Sequence, residues 1–143
     1  MKVDRRPMVF LNILSKQASG SPNDWPIHAR ELRTGIIRNH LYPTGPVMFQ
    51  VGTNGYSIHV PVNEGINVDG LEGYTFKDVM FYEDGFLFRH TDSEESLEET
   101  YEMLRMCAEE FGVKLKEPFY NIYIPIYGEA IIDIYAPIEE IAS

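Results

Sequence analysis

Residues 118–138 read PFYNIYIPIYGEAIIDIYAPI. Two alternating runs of aromatic and β-branched residues meet across Tyr127-Gly128, and a period of two is the mark of strands that bury one face. The stretch predicts a β-hairpin whose second strand carries a late proline, Pro137, a residue tolerated near strand ends and edges. Residues 45–64, GPVMFQVGTNGYSIHVPVNE, echo it, and IHVPV at 58–62 matches IYAPI at 134–138 almost position for position. The chain reads as one module used twice.

Working outward, each half places a strand and a helix ahead of its hairpin. In the first half 7–14, PMVFLNIL, is apolar enough for a buried strand, and SKQASGSPND after it reads as a loop of turn formers. Asn23 or Asp24 can cap a helix with Pro26 in its first turn, and Trp25, Ala29, Leu32 and Ile36 share one helical face. Gly35 weakens that helix by about 1 kcal/mol relative to alanine. The helix should stop near His40, ahead of Pro43 and Gly45-Pro46, and strands at 47–51 and 56–62 should then turn at Asn54-Gly55. Residues 63–73, NEGINVDGLEG, lack periodicity and read as a linker. In the second half YTFKDVMFY and GFLFRH read as strands about Glu83-Asp84-Gly85, a second hairpin signal. The clearest helix follows, capped by Asp92 or Ser93 with Glu95 in a capping box, striped by Leu97, Tyr101, Leu104, Ala108 and Phe111, and ended by Gly112.

The fold class this predicts is α+β: a duplicated strand-helix-strand-strand module, forming an antiparallel sheet with two helices on one face and an open cleft on the other. A single domain of two pseudo-repeats, at about 1–65 and 72–143, accommodates it.

Composition narrows the function classes. With 44% hydrophobic and 24% charged residues the chain is globular, and one cysteine, Cys107, leaves no internal disulfide. No apolar run reaches the roughly 20 residues of a membrane span. The start, MKVDRRP, has no apolar segment behind it and is not read as a secretory signal, so a cytoplasmic protein is expected. The first seventy residues carry seven Lys/Arg against five Asp/Glu, and the rest carry five against seventeen, within an overall charge of −10. Such a surface disfavours direct nucleic-acid binding and suits a basic protein or a cationic small molecule. The four histidines stand in no metal-ligand spacing, and there is no phosphate-binding glycine loop, G-x-S-x-G or H-E-x-x-H. No metal, no cofactor, no catalytic residue and no enzyme activity are expected.

Alternation sorts the strand residues by face. Taking the more apolar set as the one beneath the helices puts Tyr120, Ile122, Ile124, Ile132, Ile134, Ala136, Ile58 and Val60 there. Phe119, Asn121, Tyr123, Ile131, Asp133, Tyr135, Ser57 and His59 then face outward, with Phe49 alongside Asn121 by alignment of the two halves. That alignment leaves Gln50 on the helix side, a polar residue at an apolar position, unless a bulge or register shift intervenes. Aromatic walls with a few polar groups are what a small-molecule cleft needs.

The doubled unit, together with LYPTGPVMFQVG at 41–52, HTDSEESLEETYEMLRMCAEEFGVKLKEPFYNIY at 90–123 and IDIYAPIEE at 132–140, resembles the GyrI-like domains. These are small-molecule-binding domains also found as effector-binding regions of bacterial transcription activators. The resemblance implies a pseudo-twofold fold with a central cleft, often lined by aromatics, in which multidrug-binding members carry an acid on the penultimate strand. The matching position here is Asn121, an amide that cannot neutralise a cation, and Asp133 one strand over is the candidate substitute. With no helix-turn-helix ahead of Met8, a stand-alone member is expected. Some relatives are hydrolases that depend on a cleft acid, and Asn121 argues against carrying that activity over.

The sequence thus points to a stand-alone GyrI-like binding protein taking an aromatic or amphipathic small molecule by stacking on Phe119, Tyr123 and Tyr135, with Phe49 in the wall and polar fixing from Asn121, Asp133 and His59. The alternative is an acidic protein-interaction module, an inhibitor, adaptor or antitoxin-like protein docking Glu94, Glu95, Glu98, Glu99 and Glu102 on a basic partner. The same acids also suit a solvated helix N-terminus.

Overall fold

The computed structural model describes residues 3–21, 24–52, 55–90, 96–126 and 129–139. In chain order the elements are β1 (Asp4–Arg5), β2 (Met8–Ala18), α1 (Trp25–Arg38), β3 (Val47–Gly52), β4 (Gly55–Pro61), β5 (Tyr74–Tyr82), β6 (Gly85–His90), α2 (Leu97–Phe111), β7 (Lys114–Leu115), β8 (Tyr120–Ile126) and β9 (Glu129–Glu139). They form two compact units, Val9–Phe81 and Met1–Met8 with Tyr82–Ser143.

Within the 9–81 unit the strands lie in the order β3-β4-β2-β5, and within the other β8-β9-β6-β1. Each unit is α+β, and the strand-helix-strand-strand module occurs twice, as β2-α1-β3-β4 and β6-α2-β8-β9. The β3-β4, β2-β4, β8-β9 and β6-β9 pairs are all antiparallel. β5 and β1 lie beside β2 and β6 at matching places in the two orders.

Three expectations about elements need correction. The strands 74–82 and 85–90 form no hairpin about Glu83-Asp84-Gly85, because β5 lies beside β2 whereas β6 is flanked by β1 and β9. Asp84 is instead held by Arg5, whose guanidinium donates to the carboxylate at 2.9 Å, while the Arg6 amide donates to the Gly85 carbonyl. The first strand runs to Ala18, well into the expected loop, because Ser15, Lys16 and Gln17 find register partners in His59, Ile58 and Ser57. α2 is capped by Ser96, whose hydroxyl accepts from the Glu99 amide at 3.2 Å. Asp92, Ser93 and Glu95 lie outside the described residues, as do Asn23, Asn54, Tyr127 and Gly128.

Asp24 holds the N-cap position of α1 but its side chain makes no capping hydrogen bond, and of the expected face Ala29, Leu32 and Ile36 are buried while Trp25 is half-buried. Gly112 closes α2 in the left-handed conformation, φ 68°, which glycine adopts without a Cβ clash. In the second unit the core gathers Phe86, Leu104, Ala108, Phe119, Ile134 and Ala136, so β6 and β9 pack on the α2 stripe. Phe111, at the end of that stripe, is exposed.

Candidate functional site

Opposed residues of an antiparallel pair share a face, so strand register decides which site residues meet. β8 and β9 pair with Asn121 opposite Ile134 and Tyr123 opposite Ile132, while Tyr120 and Ile122 lie opposite Tyr135 and Asp133. Ile132 and Ile134 pack toward α2. Phe119, Asn121 and Tyr123 therefore face α2, and Tyr120 and Ile122 share the other face with Tyr135 and Asp133, the reverse of the expected sorting of this strand. The same inversion holds in the 9–81 unit. Phe49 lies opposite Ile58 and stacks on Trp25 of α1, with ring centroids 4.8 Å apart and planes 15° apart. Gln50 lies opposite Ser57 on the face of His59, so it is no polar intruder beneath the helix. The expected placing of Ser57, His59, Ile58 and Val60 agrees with the register, as does that of Ile132, Ile134 and Ala136.

The seven site residues are thus divided. On the helix-facing sides stand Phe49 in one unit and Phe119, Asn121 and Tyr123 in the other. On the opposite sides stand His59 in one and Asp133 and Tyr135 in the other.

Around Asn121 the geometry is specific. The side chain is fully buried near the start of β8, and its Oδ1 accepts from the Tyr101 hydroxyl of α2 at 2.5 Å. Tyr101 also meets Phe119 edge-on, centroids 5.4 Å apart, and the Arg105 guanidinium lies 5.7 Å from the centre of the same ring. Burial pushes the Tyr101 phenol up to about 12, the bond to Asn121 opposing it. The pair is therefore neutral at pH 7: a hydroxyl and an amide set among aromatic rings. Sequence reading assigned Tyr101 to the apolar stripe of the helix and missed it here. Its hydroxyl was the available signal, since a buried tyrosine normally finds a partner.

On the other face of the same unit Tyr82, Tyr120 and Tyr135 cluster. The Tyr82 and Tyr120 hydroxyls are 2.6 Å apart, and the Tyr82 ring lies 6.2 Å from that of Tyr135. Tyr135 is buried, donates to the Arg6 carbonyl at 2.8 Å, and is pushed up to about 12, by burial first. Its ring crosses Gly85, where a Cβ would run into it. Asp133 accepts two bonds from Arg89, at 2.8 and 3.1 Å, so its carboxylate is already neutralised and is not a free counter-charge for a ligand cation.

In the 9–81 unit His59 Nδ1 lies 2.6 Å from Ser15 Oγ and Nε2 lies 2.8 Å from Gln50 Oε1 and 3.1 Å from Ser57 Oγ. An amide oxygen only accepts, so Nε2 carries the proton and Ser15 donates to Nδ1. Burial lowers this histidine to about 4, so it is neutral at pH 7.

Of the acidic helix set, Glu98, Glu99 and Glu102 are exposed. Arg105 spans Glu98, Glu102 and Glu117 at 3.0, 2.7 and 2.6 Å, so part of that charge is satisfied within the chain. Glu94 and Glu95 lie outside the described residues. Among the described residues no group of three His, Cys, Asp or Glu side chains could hold a metal ion, and no helix is long and apolar enough to cross a membrane.

Comparison with known proteins places the fold. No family model matches the chain, and no curated protein matches it. Among solved structures, the C-terminal domain of EcmrR superposes with a TM-score of 0.76 at 14% identity, covering 98% of both chains. EcmrR in its DNA complex gives the same score, 97% of this chain spanning 58% of that one. A hydrolase from Listeria innocua gives 0.64 at 9% identity, covering 96% and 92%, and SAV2435 bound to tetraphenylphosphonium gives 0.52 at 11%, covering 97% and 94%. The fold is that of the GyrI-like domains.

Proposed function

We propose that the chain is a small-molecule-binding protein whose ligand is an uncharged aromatic or amphipathic molecule, held on the α2-facing side of the second unit. The observation that carries this reading is the Tyr101–Asn121 bond. A fully buried amide, at the position where the family resemblance implies an acid, is bonded to a neutral phenol beside Phe119 and on the face of Tyr123. A cation there would lose its hydration without meeting a charge, whereas a carbonyl or hydroxyl on an aromatic frame exchanges hydrogen bonds with the pair and stacks on the rings. The GyrI-like fold, and the small molecule bound to SAV2435, support ligand binding as the general role.

Turnover forms no part of this reading, because the Tyr101 phenol, pushed up to about 12, is a poor proton donor or acceptor near neutrality. The test is calorimetric titration with triphenylphosphine oxide, a neutral acceptor on an aromatic frame, for the parent, Tyr101→Phe and Phe119→Ala. Saturable binding by the parent that falls roughly tenfold or more in either variant supports the site. Binding indifferent to both substitutions places the ligand elsewhere, and mass-spectrometric detection of a converted ligand would show an enzyme.

A further inference from the structure

α1 contains a glycine that its backbone does not need. Gly35 lies inside the helix with no positive φ, and a Cβ built on it would meet no atom within 4 Å. Glycine weakens a helix interior relative to alanine, and here neither a turn nor a close approach calls for it. The space it leaves open belongs to a cavity of about 220 Å³ within the 9–81 unit. Leu14 of β2 and Leu32 and Ile36 of α1 line it. The 63–73 segment, read from sequence as a linker, contributes Ile66, Val68 and Leu71 to the lining. That segment is folded back on itself, with the Leu71 amide donating to Val68 and the Tyr74 amide donating to Leu71.

The lining is apolar apart from the side chains of Asn39 and Tyr74. Asn39 donates from Nδ2 to the Gly35 carbonyl and is exposed, and Tyr74 is half-buried. An apolar cavity of about 150 Å³ suffices for benzene. The space here therefore admits one ring with a small substituent.

We infer that this cavity is a second ligand site, taking a compact, neutral, single-ring molecule that carries one hydroxyl. The hydroxyl sits between Asn39 and Tyr74, and the ring lies against Leu32, Ile36 and the bare Cα of Gly35. This site is separate from the Tyr101–Asn121 pair and does not depend on it.

The experiment is a titration of the full chain with 4-methylphenol, followed by ligand-observed NMR and by calorimetry, for the parent, Gly35→Ala, Gly35→Leu and Asn121→Asp. The inference expects saturable binding by the parent, a component of it at least about tenfold weaker in Gly35→Leu, whose side chain fills the space, and the persistence of that same component in Asn121→Asp. No saturable binding by the parent, or equal affinity in Gly35→Leu, overturns it. If binding is lost in Asn121→Asp and kept in Gly35→Leu, the probe occupies the other site and the inference fails. Should Gly35→Leu not fold by circular dichroism, Leu71→Trp at the exposed rim takes its place, and undiminished binding there is equally contrary.

Discussion

His59 is held neutral between a serine that donates to Nδ1 and a glutamine that accepts from Nε2. Its folded-state value of about 4 lies below the ordinary 6.5, so as pH falls below 6.5 the unfolded chain takes up a proton that the folded chain refuses. Stability is then complete above 6.5 and declines toward pH 4, by up to about 3 kcal/mol. Urea melts from pH 7 to pH 4 should show this slope in the parent and a shallower one in His59→Gln; parallel curves would mean that the histidine is not shielded. At the Tyr101–Asn121 pair, Tyr101→Phe removes a hydrogen bond to a buried amide. A loss of about 1–3 kcal/mol in denaturant stability follows. These partnerships were hard to read beforehand, because each joins residues distant in sequence. Ser15 was assigned to a loop, and Tyr101 was counted as packing.

At the scale of elements, two glycines predict opposite outcomes. Gly85→Ala puts a methyl into the Tyr135 ring and should destabilise by roughly 1–3 kcal/mol, an effect relieved when Tyr135 is shortened in the same chain. Gly35→Ala adds a methyl in open space on a helix and should stabilise by about 1 kcal/mol, with thermal melts reading both. Helix boundaries were largely legible, since periodicity, Pro26 and Gly112 each act locally. Faces were not, because the more apolar half of a strand was taken as the buried half. β8 carries Tyr120 and isoleucines on one side and Asn121 with Tyr123 on the other, and both sets are largely shielded from solvent. Register would have decided it. A two-residue connection pairs odd positions with even ones, so once Ile132 and Ile134 lie under α2, Asn121 and Tyr123 must join them. The same parity brings Phe49 to Ile58 and removes the anomaly at Gln50.

For the molecule as a whole, the duplication was visible because IHVPV and IYAPI occupy equivalent last strands of two modules. The assignment of 74–82 to the first unit and of the N-terminal residues to the second was not, since pairing between strands far apart in sequence leaves no local pattern. Charge shapes the functional expectation at this scale. An overall charge of −10 draws cations to the surface at low salt, while the Tyr101–Asn121 pair offers no charge to hold one. The most direct test of an uncharged ligand site compares triphenylphosphine oxide with the tetraphenylphosphonium cation by calorimetry at 0.15 M salt, for the parent and Asn121→Asp. The account predicts that the parent prefers the neutral compound and that Asn121→Asp shifts the preference toward the cation by roughly tenfold or more. A parent that prefers the cation, or a preference unmoved by Asn121→Asp, would contradict it.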